Sequence, residues 1–463
     1  MQLNRVVQAQ RDFFRTDKTK SVAFRKKQLQ KLAEVIEEYK PQIYDALKKD
    51  LNKSEYETYL TEVSIVMQEI KTAIKNLDQW SRPVKKKVSL AVMPNKSFTI
   101  FEPYGVVLIL SPWNYPFQLA IAPLVGAIAA GNCAVLKTSR SSAHTSKVIE
   151  DMIRKNFKPY YIYAAKADIS YDTVLAQKYD YIFFTGSARV GRVIMRAASE
   201  NLTPVSLELG GKSPCIVDRT ADIKDAAKKI VWGKTLNAGQ TCVAPDFVLA
   251  DEEIKDKLVK AIKDEIEEKF SDVLENEDYP KIINYHHYMR LCGLIDREKD
   301  KIGGFRNEVS MKIAPTVFQN ATFSSEIMKD EIFGPIIPVL TFTNIDVAMK
   351  ELKNRPKPLA CYIFTKNKKF ADKILREFSF GGGCINDCIM HLANDHLPFG
   401  GVGESGMGNY HGINSFRTFS HEKAILKNTG IFDIPHRFPP SCRYPYLLLR
   451  VSQIVLSLNS LTR

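Results

Sequence analysis

The first residues, MQLNRVVQAQRDFFRTDK, lack the continuous apolar core and small-residue cleavage site of a secretory leader, so synthesis and residence in the cytoplasm are expected. A disulfide framework is missing as well. Eight cysteines are scattered over 463 residues without metal-ligand spacing, which predicts free thiols in a reducing compartment and no metal site. The tail after Pro440 has no stretch fit to span a bilayer: its apolar residues, Tyr446 to Leu449, Val451, Ile454, Val455 and Leu458, are interrupted by Arg450, Gln453 and Asn459. It reads as an amphipathic helix packed on the body, with weak membrane-surface contact as the alternative. Against 52 acidic residues stand 66 basic ones, a formal charge of +14. Yet the one dense run, Lys85 to Lys87, has no aromatics between its charges, and the other basic residues are spread along amphipathic segments such as KKQLQKLAEVIEEYK. Solvated faces explain them, and no nucleic-acid partner is expected.

What is present suits a soluble globular protein of two or three domains, with 45% hydrophobic and 25% charged residues. Residues 1 to about 80 read as helices, with Leu29, Leu32, Val35, Ile36 and Tyr39 at helical spacing. The period then falls to two over Val88, Leu90 and Val92, and again over Phe98 and Ile100 beyond a Pro94-Asn95 turn, which predicts a hairpin. From Gly105 short apolar strands (GVVLIL, CAVLK, YYIYAA, YIFFTG) alternate with helices, the mark of a parallel sheet covered on both faces. A second α/β block is expected from about VSLELGGKSPCIVD onward, and the glycine-rich LPFGGVGESGMGNYHG must be loop.

Ligands of parallel sheets sit at the carboxyl ends of the strands, and the unusual residues of this chain fall there. Cys242, in the polar turn GQTCVAPD, is either a small buried hydrophobe or a nucleophile, and the second reading needs a base and oxyanion donors nearby. Glu208 in LELGGK could take a proton from water or simply face solvent. Asn114 in PWNYP is held between two prolines, as an oxyanion donor would be, or as an ordinary turn asparagine would be. GSARVG, Gly186 to Gly191, opens a helix whose N-terminus could face phosphate, although it is not GxGxxG and glycines here commonly serve the turn. Lys137 ends another strand, where it could meet a ribose or phosphate or remain solvated.

Taken together, PWNYPFQLAIAPLVGAIAAGN, FTGSARVG, TPVSLELGGKSPCIV, NAGQTCVAPD, DEIFGPIIPV and LPFGGVGESGMGNYHG resemble the aldehyde dehydrogenases, and more closely their class 3, fatty-aldehyde branch, over roughly residues 20 to 440. The resemblance implies an α/β fold with a Rossmann-like cofactor domain, a second α/β catalytic domain and a small β-hairpin oligomerisation element. The implied bounds are helices at 1–83, the hairpin at 84–103, the cofactor domain at 104–210, the thiol domain at 211–400, a C-terminal loop and oligomerisation segment at 401–440 and the tail at 441–463. It implies Cys242 as nucleophile, Asn114 with the Cys242 N–H as oxyanion donors, and Glu208 as the base that hydrolyses the thioester. It further implies NAD or NADP contacts from Lys137, Gly186, Ser187, Gly191, Glu331 and Phe333, a substrate tunnel near Tyr115, Thr241 and His411, an aldehyde as substrate and a homodimer.

Within VLKTSR, Arg140 stands where that family usually carries a glutamate that accepts the adenosine ribose hydroxyls. Removing that carboxylate removes its repulsion of a 2′-phosphate and predicts a shift toward NADP; an arginine turned to solvent is the alternative. The expected activity is oxidation of hydrophobic aldehydes, aliphatic or aromatic, to acids. Its rivals are a coenzyme A-acylating dehydrogenase, which should lack a base at Glu208, and a non-enzymatic membrane-surface protein on the same scaffold.

Overall fold

The computed structural model describes residues 2–89 and 92–430. Helices Leu3–Phe14 and Val22–Leu51 open the chain, and Leu29, Leu32, Val35, Ile36 and Tyr39 all point into the core, as their spacing predicts. Ser21 caps the long helix through Phe24 N–H, and Asn52, left-handed at φ +56°, ends it. The chain returns through Glu55–Thr58, a single π turn at Tyr59–Val63 and helix Ser64–Trp80.

Strands, numbered in chain order, form three main sheets. The first contains β3 (Val106–Leu110), β4 (Cys133–Lys137), β5 (Ile162–Ala165), β6 (Tyr181–Thr185), β7 (Val205–Glu208) and β17 (Gly406–Met407), in the order β17-β7-β6-β3-β4-β5. All its pairings are parallel except that of β17 with β7. The register sets Leu110 beside Lys137, Lys137 beside Ala165 and Thr185 beside Glu208, so the strands end along one edge. β3, β4 and β6 are buried at every position, as continuous apolar runs require. Helix Gln118–Ala130, apolar all round, is buried along all thirteen residues between this sheet and helices Ser64–Trp80 and Ile413–Thr418.

The second sheet runs β10 (Lys301–Ile302), β13 (Thr316–Phe318), β14 (Ile336–Phe342), β9 (Phe247–Asp251), β8 (Pro214–Val217), β15 (Ala360–Phe364) and β16 (Gly382–Ile385), in that spatial order. It is parallel but for β10 on β13, and a two-residue ladder, β11 (Arg306–Asn307) with β12 (Lys312–Ile313), lies apart from it. The VSLE segment corrects the expected start of this block: as β7 it completes the first sheet, and the second begins at β8.

The expected hairpin is also corrected. Its first strand is β1 (Val84–Lys86), paired with β2 (Lys96–Pro103) so that Val84 faces Thr99. The outer edge of β2 is covered by β18 (Ser420–Lys427), and the three make an antiparallel sheet. An exposed Val-Lys-Lys strand is fixed by backbone pairing rather than by an apolar face, so alternation misplaces it. Within 401–430 the chain is not loop throughout, since it holds β17, helix Ile413–Thr418 and β18. The tail predicted at 441–463 lies outside the described residues. Among the described residues no helix is long and apolar enough to cross a membrane.

Candidate active site

Cys242 follows a turn with three consecutive left-handed residues, Asn237 (φ 52°), Ala238 (φ 50°) and Gly239 (φ 73°). Two of the three are not glycine, which costs about 1–2 kcal/mol each, so the surroundings must hold the turn. They do so through buried polar groups. Glu57 accepts the Asn237 N–H at 2.8 Å, Asn237 Nδ2 donates to Asn114 O at 2.8 Å, and Gln240 bonds to Asn237 O, Lys281 O and the Ile283 N–H. At Gly239 a Cβ would lie 2.4 Å from Gly334 O, so close packing requires glycine there.

The turn delivers Cys242, half-buried, to a cleft of about 970 Å³ that also receives Asn114, Gly186, Ser187, Glu208, Glu331 and Phe333. Strand-end residues of the first sheet, Thr185 and Glu208, thus meet loop residues of the second block, Cys242, Glu331 and Phe333, where the strands of the first sheet stop. Asn114 is buried, and its Nδ2 donates to Gln240 O at 3.0 Å, two residues before the thiol. Glu208 ends β7 and is 2% exposed, with neither carboxyl oxygen hydrogen-bonded. Burial holds its carboxyl well above the usual carboxylate range, which makes it a stronger base than an exposed glutamate. Burial also pushes the Cys242 thiol far up, with the nearby Glu331 and Glu208 adding to the effect.

Glu331 is pushed up to about 8, chiefly by burial and then by Asp246, while the Gly211 N–H, Lys212 and Lys234 oppose the shift. Gly210 packs so tightly on it that a Cβ would lie 2.3 Å from Oε2. Phe333 is left-handed (φ 50°) and sets its ring edge-on to Trp113, with centroids 5.3 Å apart. Trp113, His287 and Arg290 also line the cleft, although nothing in the sequence singles them out. Trp113 adjoins Asn114 in PWNYP, and that adjacency is the signal that could have found it.

Other predicted residues lie elsewhere. Lys137 is not solvated: it is buried, donates to Thr138 O (3.0 Å) and Ala167 O (3.2 Å), and lies over the Tyr171 ring, with burial lowering its pKa. Arg140 is exposed in the turn beyond β4, next to Ser139 on the cleft wall. Gly191 does not line the cleft; inside helix Ala188–Ser199 it abuts Leu209, where a Cβ would come to 3.0 Å, so it serves helix-sheet packing. Tyr115 and Thr241 are buried and bonded to each other at 2.6 Å, outside the cleft lining. His411 is also outside it, buried and stacked on Phe399, and burial lowers its imidazole to about 4, leaving it neutral. A second cavity, of about 260 Å³, borders the thiol turn through Thr235 and Leu236 and is lined mainly by apolar groups, among them Trp232, Phe270 and Tyr279.

The cleft fits a dinucleotide in size and chemistry. It runs from the N-terminus of the twelve-residue helix Ala188–Ser199, capped by Ser187, to Cys242 and Glu331. The buried Glu208 oxygens and Thr185 Oγ1, all without partners, face no competing protein group along it.

The aldehyde dehydrogenase family profile matches residues 1–425. The 4,4′-diaponeurosporen-aldehyde dehydrogenase of Staphylococcus aureus is 46% identical over 440 residues, 94% of this chain and 96% of that protein. A dimeric, NADP-preferring aldehyde dehydrogenase of Rattus norvegicus is 40% identical over 94% of this chain and 97% of its own length. Among solved structures, the substrate-bound state of Staphylococcus aureus AldH superposes with a TM-score of 0.93 at 42% identity, covering 98% of this chain and 99% of that one. Agreement of this extent establishes that the chain belongs to the aldehyde dehydrogenase family, oxidoreductases that use NAD(P).

Proposed function

We propose that this enzyme oxidises hydrophobic aldehydes to carboxylic acids through a thioester on Cys242. The observation that carries this reading is the pairing, on one cleft, of a half-buried thiol with a buried carboxyl, Glu208, whose oxygens have no protein partner. Cys242 Sγ, once deprotonated, attacks the aldehyde carbon, and the new C–S bond pushes the carbonyl electrons onto oxygen. Asn114 Nδ2, held on Gln240 O, and the Cys242 N–H stabilise that oxyanion. A bound nicotinamide supplies the acceptor for the hydride that the carbon must lose. The oxyanion collapses to a thioester, Glu208 takes a proton from water, and the hydroxide adds and expels the thiolate as acid forms. A carboxyl free of protein partners can accept that proton, which favours hydrolysis over acyl transfer to coenzyme A.

On the cofactor side, Gly186 and Ser187 would hold phosphate at the helix N-terminus, Lys137 the adenosine ribose, and Glu331 and Phe333 the nicotinamide ribose and ring. Arg140, exposed one residue beyond the cleft wall, would accept a 2′-phosphate and favour NADP. The apolar cavity beside Leu236 supports a hydrophobic substrate, and Tyr115 and Thr241, bonded to each other, would line its approach to the thiol. We further propose a homodimer that uses the β1-β2-β18 sheet, and residence in the cytoplasm, which the free state of all seven cysteines among the described residues supports. The test is a panel of aldehydes of increasing chain length, followed by NADH and NADPH absorbance, on wild type and Cys242→Ser. Activity should vanish in the serine variant and kcat/KM should climb with chain length; a fully active serine variant would refute the mechanism.

A further inference from the structure

Beneath Asn114 lies an ion pair with no solvent contact. Lys53 and Glu62 are both 0% exposed at their side chains, with Nζ and Oε1 2.7 Å apart. Lys53 sits where the chain leaves the long helix Val22–Leu51, and Glu62 sits in the π turn Tyr59–Val63, an irregularity that recurs at functional sites. Removing two charges from water is costly, so such a pair is weak evidence of a stabilising device.

Its contacts lead to the catalytic segment instead. Lys53 Nζ donates to Asn114 O at 3.2 Å and lies 3.9 Å from the centre of the Tyr115 ring. Glu62 Oε2 accepts the N–H groups of Phe117 (3.0 Å) and Gln118 (2.9 Å), at the start of the buried helix. The pair therefore grips both ends of Asn114–Gln118. That segment is tied in turn to the thiol turn, since Asn114 O accepts Asn237 Nδ2 at 2.8 Å and Tyr115 Oη meets Thr241 Oγ1 at 2.6 Å.

We propose that Lys53 and Glu62 are positioning residues for the reaction: by clamping the backbone of Asn114 and the ring of Tyr115, they set the distance between the Asn114 amide and Cys242. This rests on the reading of Asn114 as oxyanion donor. Neither residue lines the cleft, so the pair acts through Asn114. Placement errors of about 1 Å near reacting atoms cost on the order of 100-fold in rate, and loss of one oxyanion donor costs about 100- to 1000-fold.

The test uses the full-length enzyme. Lys53→Met alone strands a buried carboxylate and is expected to fold poorly, so the informative variant is Lys53→Met with Glu62→Gln, which keeps an acceptor for the Phe117 and Gln118 N–H groups without a buried charge. Its folding is checked by thermal melting and by cofactor titration through intrinsic fluorescence. The expected result is cofactor affinity within about twofold of wild type, KM for aldehyde within about twofold, and kcat lower by roughly 10- to 100-fold. Combined with Asn114→Ala, the pair variant should lower kcat little beyond Asn114→Ala alone, because both changes remove the same interaction. Wild-type kcat in the pair variant, a rise in KM alone, or losses that multiply with those of Asn114→Ala would each overturn the proposal. Full activity in Asn114→Ala by itself would instead overturn the oxyanion reading on which it stands.

Discussion

Glu69 offers a test of the fold that does not depend on catalysis. Its carboxyl, on helix Ser64–Trp80, is 4% exposed and accepts the Gly412 N–H with both oxygens, at 3.1 and 3.0 Å, which anchors the glycine-rich C-terminal stretch. Burial raises its pKa from 4.5 to about 7, the Gly412 N–H opposes the shift, and Asp395 nearby adds to it. Hydrogen bonds from Thr72 and Gln68 keep Asp395 itself below the usual range, so it remains an anion beside Glu69. Between those two values the folded state holds a proton that the unfolded chain has lost. Stability from this group is thus fully present below about pH 4.5 and is lost as the pH rises through about 7. At 1.36 kcal/mol per pH unit, moving from pH 5.5 to 8.5 removes roughly 2 kcal/mol. Glutamine keeps an acceptor for Gly412 and does not titrate. Urea unfolding of wild type and Glu69→Gln at both pH values should show the variant gaining about 2 kcal/mol relative to wild type at the higher pH. A difference that stays constant would mean that Glu69 is not a buried acid in the native state.

Glu208→Gln should retain a first-turnover burst of reduced cofactor and then turn over about 100- to 10,000-fold more slowly, because only hydrolysis loses its base; an unchanged steady state would assign the base elsewhere. Since burial raises the Cys242 thiol that attacks first, kcat/KM for wild type should climb into the alkaline range, and a profile that falls there would contradict the assignment. Arg140→Glu should move preference from NADP toward NAD, while a strong NAD preference in wild type that the change leaves untouched would sink the 2′-phosphate reading. Gly210→Ala would drive a methyl toward Glu331 and should weaken cofactor binding in a fluorescence titration; wild-type affinity would show that Glu331 takes no part in holding the cofactor.

The parallel core was legible because a strand buried on both faces must be apolar throughout, as β3, β4 and β6 are. Edges were less legible. β1 is all exposed, and β18 finds its partner some three hundred residues away, so no local pattern reports either. The same limit applies to charge. Lys137 resembles any solvated strand-end lysine and Glu208 any surface glutamate until burial is known, and Lys53 and Glu62 sit in a stretch that reads as an ordinary charged helix. Gly191, within a motif suggestive of phosphate, proves to be a packing glycine because its contacts are with Leu209.

By itself, then, the order of motifs along the chain determined the family and the kind of sheet and singled out Cys242 as the candidate thiol, since those depend on residue type and local period. Only the tertiary structure decided which charges are buried, which glycines are crowded and which carbonyl the buried lysine holds. Burial and contact are properties of segments far apart in sequence, and the fold alone brings Lys53, Asn114, Glu208 and Cys242 together.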